Sequence, residues 1–244
     1  MIIVLTLGRS GSSMLMQTMQ KLGINVVGRE FDVKADSLSQ QAHETLNPKG
    51  YFESPGIYYG GPSSSEFQAI LKNRRVDVAC KMDVRHFVDE KQLPFWTDAA
   101  DDISAILLSY RSPSEQARSE LLADADPMQR KDSTQEFTFI TRFLKDYVET
   151  YGAFESLLSS RLEVLASKAD YVAYSDAKNP ETYVKRICSI LKLQPSPEQS
   201  LSAIENISPE LFRVKNSDLS QDERNWAFQL GAEKVYSQIE NARH

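Results

Sequence analysis

The stretch Ile2–Leu22, which reads IIVLTLGRSGSSMLMQTMQKL, decides the fold of this chain. Its first residues, Ile2–Leu7, form a continuous apolar run typical of a central parallel strand that is buried on both faces. A turn rich in Gly and Ser follows, and from Ser12 or Ser13 an amphipathic helix is predicted to run to Leu22. Such a join points free backbone N–H groups and the positive end of a helix dipole at one spot, which attracts a phosphate.

The same alternation of strand and helix continues along the chain. Further strands are predicted over Val76–Met82, Ile103–Tyr110 and Tyr171–Tyr174, and further helices over 65–72, 134–158, 179–191 and 221–242. Residues 56–67, GIYYGGPSSSEF, are predicted to be either a mobile lid or a poorly ordered loop. The alternation predicts a single α/β domain over residues 1–244, with a P-loop-like parallel sheet flanked by helices.

The composition limits the partners that we expect. The 244 residues carry a net charge of −6, which argues against a protein that coats nucleic acid or binds a membrane surface through a basic patch. An anionic ligand must therefore be held by local positive groups. No apolar run approaches the roughly 18 residues of a membrane span, and no signal-peptide pattern precedes the first strand. Cys80 and Cys188 belong to no CxxC motif and are expected to be reduced, so we expect a cytoplasmic protein.

The turn after the first strand differs from an ATP-binding loop. The Walker A pattern GxxxxGK[ST] places its Lys on the β- and γ-phosphates and its hydroxyl group on Mg²⁺. Aligning Gly11-Ser12-Ser13 with GK[ST] puts Ser12 where that Lys should be, and Thr6 replaces the first Gly. The cation of this turn is Arg9 instead. The backbone cradle for a phosphate is kept, whereas the arrangement for a magnesium nucleoside triphosphate is not.

This displaced pattern, GRSGSSML, resembles the 5′-phosphosulfate loop of the sulfotransferases, and of their small bacterial members in particular. These enzymes transfer a sulfuryl group from 3′-phosphoadenosine-5′-phosphosulfate (PAPS). In that family the basic residue of the loop is Lys or Arg, followed by SG and two hydroxyl residues. The resemblance implies that Arg9, Ser10, Gly11, Ser12 and Ser13 bind the phosphosulfate. It also implies that Arg9 stabilises the charge that develops in the transition state.

Two further motifs extend the resemblance along the chain. YRSPSEQARS offers Arg111 and, eight residues later, Ser119, the pair that holds the 3′-phosphate of the donor in the family. The alternative for Arg111 is an ion pair with a surface carboxylate. In the same segment Ser112 is predicted to cap a helix, with Glu115 completing a capping box. YVAYSDAKNPETYVKRICSILKL resembles the strand, acidic turn and helix of the family, where Tyr174 matches a position near the adenine.

A hydroxyl acceptor needs a base to take its proton. Cytosolic family members often use a His in a strand-end KTH motif, whereas the matching residues here are Lys81-Met82-Asp83. Other branches use a Glu downstream of the loop cation, and Glu30 stands at the matching spacing. Glu53 is a rival, because NPKGYFE resembles a heptapeptide of many bacterial members. The candidate bases are therefore Glu30, Glu53 and Asp83, in that order. Two roles stay open for Lys81: it is either a surface lysine or a lysine that neutralises the sulfuryl group.

The resemblance implies an enzyme that transfers a sulfuryl group from PAPS in line and without a metal. The acceptor is expected to be a hydroxyl or amine of a small molecule, lipid or glycan. Two alternatives stay open. One is a small-molecule kinase-like nucleotide-binding enzyme, against which the missing loop Lys counts. The other is a catalytically inactive module that binds a nucleotide or PAP, the desulfated donor, and the absent strand-end His makes it worth keeping.

Overall fold

A five-stranded parallel sheet forms the centre of the structure, a computed structural model that describes residues 1–28, 52, 54–73, 77–124, 133–207 and 220–243. The strands are β1 (Ile2–Thr6), β2 (Asn25–Val26), β3 (Val78–Asp83), β4 (Ala105–Tyr110) and β5 (Ala169–Ala173). Their order in the sheet is β2-β3-β1-β4-β5, and every pair is parallel. The predicted fold class, a single α/β domain with a parallel sheet flanked by helices, is confirmed.

Helices connect and follow the strands. Those before β4 are α1 (Ser12–Lys21), α2 (Pro55–Gly60), α3 (Ser65–Lys72), α4 (Val84–Val88) and α5 (Leu93–Asp98). Those after β4 are α6 (Pro113–Asp124), α7 (Ser133–Ser160), α8 (Glu163–Ala166), α9 (Pro180–Leu191), α10 (Pro197–Asn206), α11 (Gln221–Gln229) and α12 (Ala232–Ala242). Single 3-10 turns cover residues 61–63, 90–92, 100–102 and 174–178. The predicted strands and most of the predicted helices are confirmed to within a few residues.

The central strand β1 is buried along its whole length, as its continuous apolar sequence predicts. Successive side chains of a strand point to opposite faces, so β1 contributes to two apolar cores. Ile3 and Leu5 belong to one core, and Ile2 and Val4 belong to the other. Parallel strands place all their carboxyl ends at one edge of the sheet, and ligands of open α/β sheets bind there.

Two local predictions are corrected. Residues 56–67 are not a loop, because they contain most of α2, a 3-10 turn and the start of α3, and their role as a lid stays a prediction. Ser54 caps the start of α2, because its Oγ atom accepts a hydrogen bond from the backbone N–H of Ile57. Pro55, the first residue of the helix, also favours a helix start. The single helix predicted over 221–242 is two helices, α11 and α12. Gly231 separates them because its φ of 78° is left-handed.

Candidate functional site

The turn between β1 and α1 has the backbone conformation of an anion-binding loop. Arg9 and Gly11 are left-handed, with φ of 56° and 91°, whereas Ser10 between them is not. Alternating handedness turns successive N–H groups toward one point. A left-handed non-glycine residue costs on the order of 1 kcal/mol, and such outliers concentrate at functional sites. Gly11 is also the N-cap of α1 and offers no side-chain cap, so the first N–H groups of α1 face this turn.

Tyr174 packs directly on this loop. A Cβ atom on Gly11 would collide with Cδ2 of the Tyr174 ring, so this position has room only for glycine. The guanidinium of Arg111 lies over the same ring, with its Cζ atom 4.4 Å from the ring centroid. Both side chains are buried. The residue predicted for the adenine therefore lies against the loop predicted for the phosphosulfate, and the residue predicted for the 3′-phosphate lies on its ring.

Arg9 contacts the second predicted phosphate motif. Its Nε atom donates to Ser119 Oγ at 3.4 Å, although 110 positions separate the two residues in the sequence. Ser119 is buried on α6, the helix that follows β4. The contact joins the GRSGSSML loop to the YRSPSEQARS motif, which are far apart in the sequence. It brings the polar groups of both motifs to the same edge of the sheet.

Arg111 is paired with a carboxylate. Its Nε atom donates to Glu115 Oε2 at 3.1 Å, and the two side chains are 5% and 10% exposed. The partner is thus a buried residue one helical turn away rather than a surface carboxylate. The predicted capping box is wrong, because Glu115 turns to Arg111 and the buried Ser112 Oγ has no hydrogen-bond partner among the described residues. A guanidinium has five N–H donors in a fixed fork, so the Nε contact sets the direction in which the fork points.

Lys81 is buried beside the loop. Its residue is 2% exposed, which excludes the surface alternative. Its Nζ atom donates to Ser13 Oγ at 3.1 Å and lies 5.8 Å from the centroid of the Tyr58 ring. Burying an ammonium group is costly unless it has partners, and here a hydroxyl group and an aromatic face supply them. Ser13 belongs to the first turn of α1, as does the buried Ser12. A second cation therefore lies at the start of the helix, next to the Arg9 turn.

Hydroxyl groups hold the loop against the strands. Ser10 Oγ lies 2.6 Å from Thr6 Oγ1 and donates to Ser109 Oγ at 3.2 Å. Tyr151 donates its hydroxyl proton to the carbonyl of Ser109 at 3.4 Å. Burial raises the pKa of the Tyr151 phenol well above its ordinary value, so this hydroxyl stays a neutral donor. The Ser10 side chain is thus part of the framework that holds the loop against the strands.

Gln116 is a loop-supporting residue that the sequence did not reveal. Its side chain is fully buried on α6, and its Nε2 atom donates to the carbonyls of Leu7 and Gly8, at 2.6 Å to the latter. Buried polar groups normally have such partners. The available signal was its position within RSPSEQARS, between the two residues of the predicted phosphate pair, on a helix face that must be buried.

Asp83 lies at the carboxyl end of β3, in register with Thr6 of β1. It caps α4 and binds Arg85 through both oxygens. Oδ1 accepts from the backbone N–H and from Nε of Arg85, each at 2.9 Å, and Oδ2 accepts from Nη2 at 2.5 Å. These hydrogen bonds raise the pKa of the Arg85 guanidinium above its ordinary value. As a base, Asp83 would act through a carboxylate that Arg85 already holds at both oxygens.

The other two candidate bases, Glu30 and Glu53, lie outside the described residues. They stay predictions. Among the described residues, no group of three or more His, Cys, Asp and Glu side chains is placed to hold a metal ion. Within the same part of the chain, no helix combines the length and the apolar character that crossing a bilayer requires.

Comparisons with known proteins give distant structural likeness and no match in sequence. No protein-family model matches the sequence, and no curated protein matches it. Among solved structures, the chain is similar to a retinol dehydratase in complex with androsterone and the inactive cofactor PAP. The similarity has a TM-score of 0.48 and 14% sequence identity, and covers 99% of this chain and 78% of that one. A likeness this distant transfers no ligand and no residue role.

Proposed function

We propose that this chain is a PAPS-dependent sulfotransferase and that residues 1–244 form one sulfotransferase-like domain. The observation that carries the proposal is the 3.4 Å hydrogen bond from Arg9 Nε to Ser119 Oγ. Together with the Arg111–Tyr174 contact, it gathers at one sheet edge the residues predicted for both ends of the donor. A ligand with phosphate-type groups at two ends of an adenosine suits this arrangement, whereas the linear triphosphate of ATP does not.

The loop, Arg9 and Lys81 form the part of the site proposed for the phosphosulfate. The left-handed loop and the start of α1 offer backbone N–H groups, and Lys81 Nζ reaches the first turn of α1 at Ser13 Oγ, 3.1 Å away. The donor supplies an activated sulfuryl group whose departure leaves negative charge on the 5′-phosphate. Fixed donors and cations that are already in place stabilise such developing charge without having to reorganise.

Arg111, Ser119 and Tyr174 form the part proposed for the nucleoside and its 3′-phosphate. Arg111 is oriented by Glu115 on one side and by the Tyr174 ring, 4.4 Å from Cζ, on another. A guanidinium held in this way binds a phosphate through two parallel N–H bonds. Since AMP and ATP lack a 3′-phosphate, this half of the site provides selectivity for PAPS and PAP.

The acceptor is proposed to be a hydroxyl or amine of a small molecule, lipid or glycan, attacking in line and without a metal. The acceptor oxygen or nitrogen forms a bond to sulfur while the bond from sulfur to the phosphate oxygen breaks. The acceptor proton passes to a carboxylate. Glu30 is ranked first and Glu53 second for this role. Asp83 is third, and its two bonds to Arg85 support that low rank.

Calorimetric titration tests the donor half of the proposal. PAP and ATP are titrated into the protein in separate runs, each with Mg²⁺ and again with EDTA. PAP is expected to bind more tightly than ATP, with an affinity that EDTA leaves unchanged. A preference for ATP with Mg²⁺ would contradict the proposal and favour the kinase-like alternative.

The second candidate function is a nucleotide- or PAP-binding module without catalysis. Asp83 favours it, because the one candidate base in the described part of the chain is held at both oxygens by Arg85. This candidate predicts the same selectivity for PAP, together with no labelled product from labelled PAPS and any acceptor. Transfer to a single acceptor would exclude it.

A further inference from the structure

Arg243, the residue after α12, makes a cluster of contacts at the carboxyl edge of the sheet. Its Nη2 atom donates to Asp176 Oδ2. Its Nη1 atom donates to the Tyr110 hydroxyl at 3.4 Å and to Glu240 Oε2 at 3.5 Å. The Arg243 and Asp176 side chains are only 13% and 15% exposed. No motif in the sequence connects Arg243 with the site.

The partners of Arg243 flank the pair proposed for the nucleoside end of the donor. Tyr110 is the last residue of β4 and directly precedes Arg111. Asp176 lies in the turn after β5, two residues beyond Tyr174. The strands β4 and β5 are neighbours in the sheet. Arg243 therefore ties together the two chain segments whose relative position sets the 4.4 Å contact between Arg111 and Tyr174.

The cluster is held on both sides. The buried Tyr110 donates to Glu240 Oε1 at 2.7 Å. Burial, and then this hydrogen bond, raise the pKa of the Tyr110 phenol above its ordinary value, so it remains a neutral donor. Arg186 donates through Nη2 to the carbonyl of Arg243 at 3.4 Å and to Asp170 Oδ1 at 3.1 Å. Largely buried ion pairs of this kind contribute little net stability, and one attested use is to fix one arrangement of the chain.

We propose that Arg243 is a positioning residue that sets the spacing of Arg111 and Tyr174, and through it the selectivity for a nucleotide that carries a 3′-phosphate. The inference rests on the proposed function, since it concerns the same donor site. Arg243 acts through Tyr110 and Asp176. Loss of its guanidinium leaves Asp176 without its cation and frees the turn after β5 to shift relative to the end of β4.

The simpler alternative is that Arg243 only fastens α12 to the domain. In that case loss of Arg243 lowers the stability of the protein and lowers its affinity for every ligand in the same proportion. The two roles are separated by PAP and AMP, which differ only in the 3′-phosphate. A positioning role changes the ratio of the two affinities, whereas a fastening role leaves that ratio unchanged.

The experiment measures PAP and AMP affinity by calorimetry for the wild type and four variants. Arg243→Met removes the charge at similar length, and Arg243→Lys restores one cation for Asp176. Tyr110→Phe removes a buried hydroxyl that donates to Glu240 at 2.7 Å. Tyr171→Phe is the matched control, because Tyr171 is also buried and its hydroxyl donates to Glu155 at 2.7 Å, not to a residue that Arg243 contacts.

We expect Arg243→Met to lower PAP affinity by about tenfold and AMP affinity by less than about twofold, which is the range for residues that couple to a ligand without touching it. Arg243→Lys should recover part of the PAP affinity. Tyr110→Phe should show a smaller loss of the same kind, and Tyr171→Phe none. If Arg243→Met does not fold, the two phenylalanine variants decide the comparison.

Equal losses of PAP and AMP affinity in Arg243→Met would overturn the inference, as would equal behaviour of the two phenylalanine variants. A wild type that binds AMP as tightly as PAP would contradict the proposed function itself. The positioning role would then be contradicted as well, because it depends on that function. Failure of the inference alone therefore requires a wild type that does prefer PAP.

Discussion

Three Gly→Ala substitutions separate backbone strain from steric contact at the loop. Gly11 is left-handed, with φ of 91°, and an added Cβ would collide with the Tyr174 ring. Gly231 is left-handed, with φ of 78°, and an added Cβ would meet nothing within 4 Å. Gly152 lies inside α7, where an added Cβ also meets nothing within 4 Å. An alanine is therefore expected to meet backbone strain and a clash at Gly11, backbone strain alone at Gly231, and neither at Gly152.

The expected free energies of unfolding follow from these environments. Gly231→Ala should lower the stability by about 1 kcal/mol, the cost of a left-handed alanine. Gly11→Ala carries the same cost plus about 1–3 kcal/mol for overpacking against the ring, or about 2–4 kcal/mol in all. Gly152→Ala should raise stability by roughly 0.5–1 kcal/mol, because alanine is the better residue inside a helix.

Urea unfolding monitored by far-ultraviolet circular dichroism measures all three values, and PAP calorimetry supplies the second readout. Gly11→Ala should also weaken PAP binding, since the displaced Tyr174 ring is the surface on which Arg111 lies. Gly231→Ala should leave PAP affinity unchanged. Equal stability losses at Gly11 and Gly231, with PAP affinity intact in both, would refute the packing of Tyr174 on the loop.

Two further predictions concern individual charged groups. Lys81→Met keeps an unbranched chain in the buried site and should lower kcat for sulfuryl transfer by about a hundredfold, the effect of removing one pre-placed donor; an unchanged kcat would exclude Lys81 from the chemistry. Asp83→Ala should lower the free energy of unfolding by about 1 kcal/mol through loss of the α4 cap, measured with urea. Glu30→Gln should instead lower kcat by about a hundredfold. A kcat that falls in Asp83→Ala and is unchanged in Glu30→Gln would make Asp83 the base.

The fold was predictable because its signals are local. The apolar run Ile2–Leu7, the turn and the helix from Ser12 each depend on neighbours in sequence, and the strand β1 and helix α1 lie where those patterns place them. The broken last helix was missed although Gly231 stands at the break, because a glycine inside a helical pattern is often tolerated. Its left-handed φ of 78° is what ends α11.

The contacts that complete the site were not predictable, because they join distant parts of the chain. Glu115 has the spacing of a capping box, but its carboxylate goes to Arg111, and no spacing rule distinguishes the two outcomes. Lys81 could be assigned to the surface or to the site equally well until its contact with Ser13 Oγ, 68 positions away, was known. Gln116 and Arg243 likewise owe their positions to tertiary packing alone.

The central claim is that this protein transfers a sulfuryl group, and transfer of label from sulfur-labelled PAPS measures it directly. Pools of lipids, glycans, phenols and amines serve as acceptors for the wild type and for Arg9→Ala, with EDTA present throughout. We predict a labelled product in at least one pool, reduced by about a hundredfold in the variant because its loop cation is missing. Firm PAP binding by the wild type with no labelled product in any pool would contradict the claim.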